Sequence, residues 1–401
     1  MMLARKVKQE NLKIWFTILS CVAVFGCVEE IELKTENFES VLVIEANITN
    51  ENKVQEVLLS RSFRFEDEGP ALETGARVLI LSNTGESINF TEAEPGRYLS
   101  NIEFAAQPNV EYRLDITTRE GRQYISSPES MPEQAIIENV YARPIINSFG
   151  EPGVAILVDG SNPNGTSNYY RYEYDETYKI IAPFFTGLDL IPADECNVGV
   201  IERIQEERIC YNTASSNRII LTETTGQTED RVSSFEVRFI SKSNTIIAHR
   251  YSILLKQYVI SPDAYNYLVR RRDLAEAGNL FSQAQPGFIS GNIQSVESPN
   301  IEKVVGFFII SPVQSQRIFF DWEQLYPGEE RPEIPCSIFS PPLVNEAGTC
   351  VLRTQVALGL VKYWDENPNP GPGEGPYFVV RRECGDCTAT GTNIVPEFWE
   401  E

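Results

Sequence analysis

The chain has 401 residues, with 57 acidic against 34 basic side chains and a formal net charge of -23 at pH 7. Such acidity argues against nucleic acid as a partner, because its phosphates would be repelled. Apolar residues make up 42% of the chain and aromatic residues 10%, which is enough for a packed core and argues against intrinsic disorder.

The first predicted element is an export signal over residues 1–26. Basic residues precede an uncharged run over residues 14–26, which is shorter than the roughly 20 residues that a membrane-spanning helix needs. Val24-Phe25-Gly26-Cys27 resembles a bacterial lipobox, so Cys27 is the expected lipid attachment site. Cys21 follows a cleaner local match, but cleavage there would leave an apolar tail on the mature chain. An ordinary secretory signal with an incidental cysteine is the alternative.

An acidic tether over residues 27–40 follows the signal. Val28-Glu29-Glu30 is similar to the acidic tag that sends lipoproteins of some bacteria to the outer face, and a solvated linker explains these residues equally well. Several acyl chains on one cysteine hold a protein stably in a membrane. We therefore expect an outer-membrane location, lipid-anchored and facing the cell exterior.

Residues 41–132 are predicted to form an antiparallel β-sandwich of immunoglobulin-like or transthyretin-like type. Val78 and Ile80 are two residues apart, so both would point to the buried face of a half-buried strand. Turn residues separate the β-rich runs. These runs cover residues 41–48, 54–65, 76–81, 97–101, 111–117 and 123–126. Pro128 and Pro132 mark the linker that ends the domain.

Residues 133–401 are predicted to form a larger β-rich domain with a helical insertion near residues 250–278. Pro262 suits the first position of a helix, Ser261 can cap it, and Gly278 can end it. Residues 249–260 fit either a strand or a helix. Residues 180–209 form the longest irregular insertion.

Six cysteines follow the leader: Cys196, Cys210, Cys336, Cys350, Cys384 and Cys387. An even number in an exported chain indicates disulfides, although six cysteines allow many connectivities. Spacing favours local pairs, namely Cys196 with Cys210, Cys336 with Cys350, and Cys384 with Cys387. Each of the first two would close a loop of about 15 residues, worth on the order of 3 kcal/mol.

A set of short signatures in the second region resembles one family. They are Cys210, Arg250-Tyr251-Ser252, Lys256-Gln257-Tyr258, Tyr265, Gln285-Pro286, Gly291-Asn292-Ile293, Gly306-Phe307-Phe308, Arg317-Ile318-Phe319, Cys384-x-x-Cys387 and Pro396-x-Phe398-Trp399. The family is the Bacteroidetes outer-membrane lipoprotein family catalogued as domain of unknown function 4249, and the resemblance runs from about Glu30 to Glu401. Its members typically occur beside TonB-dependent receptors that import nutrients. The resemblance implies a receptor-associated surface lipoprotein and brings no established catalytic residues.

Candidate catalytic groups are few. His249 is the one histidine, which excludes a two-histidine zinc motif and leaves one base for a serine triad. A redox reading of Cys384 and Cys387 needs a helix N-terminus in a βαβ setting, whereas a Thr- and Gly-rich stretch follows them. We therefore expect no catalytic residues, no metal and no cofactor.

Two aromatic groups are candidates for ligand or partner contact. Tyr170, Tyr172 and Tyr174 share one face of a predicted strand, where they would either stack on a sugar or peptide or fill a core. Phe184 and Phe185 lie in an apolar stretch that would mark a contact site if exposed. In that case, deletion of residues 183–190 would leave the fold intact.

Three functions are consistent with these observations. The first is a non-catalytic accessory or binding partner of a TonB-dependent nutrient receptor, which we favour. The second is a free-standing glycan- or protein-binding surface lipoprotein of adhesin type. The third is a hydrolase that uses two carboxylates, which an acidic chain always permits.

Overall fold

The computed structural model describes residues 40–63, 67, 69–165, 167–276, 289–299 and 301–401. The export signal, Cys27, the tether up to residue 39, the Gln285-Pro286 signature and the expected helix end at Gly278 lie outside these residues. Val41–Ser62 and Pro70–Glu401 form one compact unit. None of the helices in the described residues has both the length and the apolar character needed to cross a membrane.

The chain is mainly β, as the sequence predicts. The first part holds β1 (Leu42–Thr49), β2 (Lys53–Arg61), β3 (Arg77–Ser82), β4 (Ser87–Glu94), β5 (Arg97–Phe104), β6 (Glu111–Thr117), β7 (Gln123–Ser126) and β8 (Glu129–Ser130). The middle holds β9 (Ile136–Ile146), β10 (Pro152–Ser161), β11 (Tyr169–Ile181), β12 (Leu188–Pro192), β13 (Val198–Glu202), β14 (Ile209–Ser215), β15 (Ile220–Glu223), β16 (Arg231–Ser241), β17 (Tyr251–Val259) and helix α1 (Pro262–Glu276). The last part holds β18 (Ile293–Ser295), β19 (Val304–Ser311), β20 (Val313–Phe320), α2 (Trp322–Leu325), α3 (Val351–Ala357), β21 (Val361–Glu366), β22 (Tyr377–Arg381) and α4 (Arg382–Gly385).

The first sheet has the strand order β18-β7-β6-β3-β4-β5-β2-β1-β19, with β8 beside β6. Alternate residues point inward, as Tyr112, Leu114 and Ile116 do in β6. One apolar core includes residues of both end strands, so the sheet curls until its ends meet. Asn292 joins these ends because its side chain accepts a hydrogen bond from the backbone N–H of Phe308 at 2.8 Å and donates one to the carbonyl of Phe308 at 3.0 Å.

This first sheet is sandwich-like, and it takes β18 and β19 from far beyond residue 132. β19 runs parallel to β1, with Leu42 opposite Val304 and Ile44 opposite Gly306. The boundary near residue 132 marks where the chain leaves the sheet for the first time. The division into domains at that residue stays a prediction.

Two further sheets enclose a second core. One has the order β16-β10-β9, and the other has the order β14-β11-β17-β20, with β15 also paired to β11. Valines and isoleucines of β10 face tyrosines of β11 and β17 across this core, and Trp322 and Tyr326 close one end. The described residues thus form two large β-cores, and the chain returns to the first sheet through β18 and β19, between β17 and β20 of the second core.

Helix α1 confirms the predicted helical insertion. Ala264, Tyr267 and Leu268 form its buried face and pack on Phe307 and Ile309, which lie on the outer side of β19. Residues 249–260, which precede α1 and fit either a strand or a helix by sequence, contain strand β17. This strand pairs with β11 on one side and with β20 on the other. Burial on both faces of this strand explains why its sequence lacks a clear alternation.

Elements β12, β13, α3, β21, β22 and α4 form a small unit that we call the disulfide lobe. Its core contains Leu190, Leu352, Val361, Tyr363 and Val379. The expectation of an irregular insertion over residues 180–209 was wrong, because β12 and β13 pair as a hairpin there. Helices α2, α3 and α4 have at most seven residues each, and the sequence analysis did not detect them.

Candidate functional site

A cleft of about 740 Å³ lies where the end of β11, the turn before β17 and residues 331–336 come together. We call it the His249 cleft. Its walls are mainly apolar, with several prolines and a few charged side chains at the mouth. The lining residues include Lys179, Ile180, Ile181, Pro183, Phe184, Ile246, His249, Arg331, Pro332, Glu333, Ile334, Pro335, Cys336 and Glu383. Concave apolar sites with few polar groups are typical of small-molecule binding.

His249 receives a hydrogen bond from Arg331 inside this cleft. The Nη1 atom of Arg331 lies 3.3 Å from Nδ1 of His249, and a guanidinium only donates, so Nδ1 is the acceptor. Burial, and then the positive charges of Arg331 and Lys179, together lower the pKa of His249 to about 4. The ring is therefore neutral at pH 7.

Residues 396–401, which we call the strap, lie across the outer side of the sheet β14-β11-β17-β20 and contact β14, β11 and β20. Trp399 packs edge-on against Tyr211 at 4.8 Å and against Phe319 at 5.8 Å, measured between ring centroids. The guanidinium of Arg317 lies 3.6 Å from the ring centroid of Phe398. Glu401 ends the strap beside the cleft, where its carboxylate lies 2.8 Å from Nζ of Lys179. The charge of Lys179 is thereby compensated by the chain itself.

The disulfides differ from the expected local pairs. Cys196 bonds to Cys350, Cys210 to Cys387 and Cys336 to Cys384, across sequence separations of 154, 177 and 48 residues. The prediction of local pairs was wrong because the fold, and not the spacing, brings the Cα atoms of each pair within 5.0 to 5.9 Å. Cys384 and Cys387, three residues apart, are each bonded to a different and distant strand or loop.

The bond from Cys336 to Cys384 lies directly against the cleft, because Cys336 is one of the lining residues. The backbone N–H of Phe184 donates to the carbonyl of Cys384 at 2.9 Å. Two of the three segments that line the cleft, the end of β11 with Phe184 and residues 331–336, are therefore tied to one cystine. This arrangement favours a preformed cleft over one that closes on a ligand.

A cluster of charges connects the two halves of the disulfide lobe. Lys362 lies 2.7 Å from Asp189, 3.2 Å from Glu207 and 3.4 Å from Asp386. Arg203, whose side chain is 4% exposed, lies 3.0 Å from Glu207 and also donates to a backbone carbonyl of α4. Lys362 and the three carboxylates pair with one another, so the cluster holds the lobe together, although Nη2 of Arg203 is buried without a hydrogen-bond partner.

Tyr170, Tyr172 and Tyr174 are not contact residues. Their side chains are 0%, 0% and 7% exposed and belong to the second core. The hydroxyl of Tyr170 donates to Asp230 at 2.6 Å, and that of Tyr172 donates to Gln257 at 3.1 Å. The reason is that this face of β11 is turned toward the sheet formed by β9, β10 and β16, so packing accounts for the tyrosines.

Phe184 and Phe185 take different positions. Phe184 lines the His249 cleft and packs edge-on against Trp364 at 5.0 Å, whereas Phe185 lies beneath the guanidinium of Arg203 at 5.0 Å. Phe184 thus remains a candidate contact residue. The expected tolerance to deletion of residues 183–190 does not follow, because that segment contains buried Leu190 and the ion-paired Asp189.

Arg331 and Ile246 were missed by the sequence analysis. Arg331 opens the stretch Arg-Pro-Glu-Ile-Pro-Cys, where two prolines flank apolar and charged residues just before a cysteine. That density of prolines is a signal for an ordered extended segment, but it does not say which surface the segment lines. Within the described ranges, no group of three or more His, Cys, Asp or Glu side chains is placed to hold a metal ion.

Comparisons with known proteins identify a family and little else. The family described as "Domain of unknown function (DUF4249)" matches residues 28–317. No curated protein matches the sequence. Among solved structures, the B domain of a biofilm associated protein is 7% identical with a TM-score of 0.13, covering 75% of this chain and 92% of that one. The BSP domain of a biofilm associated protein is 8% identical with a TM-score of 0.10, covering 70% and 61%. Scores this low carry no argument about fold or function.

Proposed function

The chain belongs to the DUF4249 family, and from that premise we propose that it is a non-catalytic accessory protein of a TonB-dependent nutrient receptor in the outer membrane. The lipid on Cys27 would hold it at the outer face of that membrane. The observation that carries the proposal is the His249 cleft, a concave apolar site of about 740 Å³ between walls joined by a cystine. In this proposal the cleft holds the nutrient, and the receptor contacts its rim.

The chemistry of the cleft supports binding over catalysis. His249 has Nδ1 occupied by Arg331, and with a pKa of about 4 it is a weak base at neutral pH. A general base works best when its pKa lies near the operating pH. The polar groups at the mouth are therefore suited to orienting a ligand.

Co-purification from detergent extracts tests this proposal. We expect the tagged full-length chain, extracted from its own outer membrane, to bring down a TonB-dependent receptor that mass spectrometry identifies. Phe184→Ala should reduce the captured receptor several-fold, because this ring lies at the cleft. Phe149→Ala is the matched control, since Phe149 is 93% exposed in the turn between β9 and β10 and lies outside the cleft.

Two results would overturn the proposal. Absence of any receptor, together with glycan binding by the isolated chain, would favour the adhesin alternative. Turnover of a substrate that is lost on changing a single carboxylate would establish a hydrolase instead.

A further inference from the structure

The mouth of the His249 cleft carries one cation that the chain does not neutralise. Arg331 is exposed, and its hydrogen bond goes to a histidine that is neutral at pH 7. Within the described part of the chain, Arg331 forms no ion pair. An uncompensated guanidinium beside apolar walls is a ready partner for an anion, because its planar donors match carboxylate and phosphate oxygens.

Two of the other charged groups at the cleft are paired within the chain. Lys179 is bound to Glu401, and Glu383 lies 3.2 Å from Arg381. Glu333 is exposed, lines the same cleft and stands two residues after Arg331. Its carboxylate repels an anion in the cleft, so neutralising Glu333 should strengthen anion binding.

The remaining walls favour an apolar ligand body. Ile180, Phe184 and Ile334 line the cleft together with Pro332 and Pro335. A volume of about 740 Å³ falls within the range of roughly 300 to 1,000 Å³ that is typical of small-molecule sites.

We propose that the His249 cleft binds a small amphipathic anion, with its charged group on Arg331 and its apolar body against Ile180, Phe184 and Ile334. The inference names the ligand class of the site in the proposed function and rests on that function for its biological meaning. The binding chemistry itself depends only on the residues of the cleft.

His249 provides a direct reporter of this binding. It is the one histidine of the chain, so its Hε1 proton gives a single imidazole resonance that needs no assignment. Because Arg331 donates to Nδ1 of His249, an anion bound to Arg331 changes the electrostatic field at the ring and should move this resonance at pH 7, although the ring stays neutral. The carboxylates of Glu333 and Glu383 also face the cleft, but they are present in both states.

The test compares three ligands of equal chain length: octanoate, octanol and octylammonium. It uses the full chain carrying Cys27→Ala in detergent-free buffer, because a detergent is itself an amphiphile. At pH 7 we expect octanoate to bind about ten-fold more tightly than octanol, which is the effect of one charge-assisted contact. Octylammonium should bind most weakly, and octanoate should shift the His249 resonance.

Two variants give effects of opposite sign. Arg331→Gln should remove the preference for octanoate while leaving octanol binding unchanged, whereas Glu333→Gln should tighten octanoate binding a few-fold. Both side chains are exposed, so an unchanged unfolding midpoint will verify that each variant is folded.

Equal binding of octanoate and octanol, unchanged octanoate binding in Arg331→Gln, or binding without a shift of His249 would overturn the inference. If these results occur while the receptor is still captured, the ligand class fails and the receptor role stands. If the predicted octanoate preference is found but no receptor is captured, the ligand class stands and the proposed receptor role fails.

Discussion

At the scale of single residues, His249 makes stability depend on pH in a defined direction. The folded chain keeps this ring neutral down to a pKa of about 4, whereas in the unfolded chain it protonates below its ordinary pKa of 6.5. Between these values the unfolded state binds the extra proton, so the free energy of unfolding falls as the pH drops from 6.5 toward 4. Above pH 6.5 the contribution does not change.

Urea denaturation at pH 7 and pH 5 measures this effect. Wild type should lose more free energy of unfolding over this interval than His249→Gln, which cannot take up the proton. Carboxylates titrate in both proteins, so the difference between them isolates the histidine. Identical pH dependence would show that burial and Arg331 do not lower the pKa.

Tyr172 decides between core and contact roles for the tyrosines of β11. Its side chain is fully buried, so Tyr172→Ala should cost about 3 to 5 kcal/mol of unfolding free energy. Tyr172→Phe keeps the ring and loses the hydrogen bond to Gln257, so it should cost only about 1 kcal/mol. Chemical denaturation of both variants checks this, and a loss under 1 kcal/mol for Tyr172→Ala would contradict the core assignment.

At the scale of elements, the disulfides bind distant segments together. Non-reducing peptide mapping should find Cys196 with Cys350, Cys210 with Cys387 and Cys336 with Cys384, and no free thiol among the six. The long loops that these bonds close restrict the unfolded chain, so replacing Cys210 and Cys387 together by alanine should cost about 2 to 5 kcal/mol. A peptide that links Cys384 to Cys387 would contradict the structure.

Contacts between different elements explain why the short family signatures are scattered along the sequence. Cys210 bonds to Cys387, Arg317 contacts Phe398, and Asn292 bonds to the backbone of Phe308. A Cβ on Gly291 would come within 1.5 Å of the carbonyl oxygen of Gly306, so only glycine permits that approach. Several of the signatures therefore contain residues that contact one another in the fold.

At the scale of the whole molecule, one covalent lipid should decide where the protein is found. Both β-cores are built from residues after Val41, so Cys27→Ala should leave a folded protein that is released from the membrane fraction. Fractionation of cells followed by circular dichroism of the released chain measures both properties. Membrane retention of the variant would refute lipidation at Cys27.

Local patterns predicted much of the fold because they record which faces become buried. Most strands of the first sheet follow the expected runs, for instance Glu111–Thr117, and α1 starts at Pro262, whereas β4 and β8 were not predicted. Residues 249–260 were ambiguous because a strand buried on both faces has no alternation to read. The small helices α2 to α4 are too short for a helical period to appear.

The sequence by itself determined the mainly β class, the family, the longest helix α1 and the expectation of disulfides, because each depends on composition or on neighbours within a few residues. Only the tertiary structure decided the cystine partners, the return of β18 and β19 to the first sheet, and the burial of Tyr170, Tyr172 and Tyr174. It also brought Arg331 against His249 across 82 residues of chain. Such pairings follow from how whole sheets pack, and residue spacing along the chain carries no record of that packing.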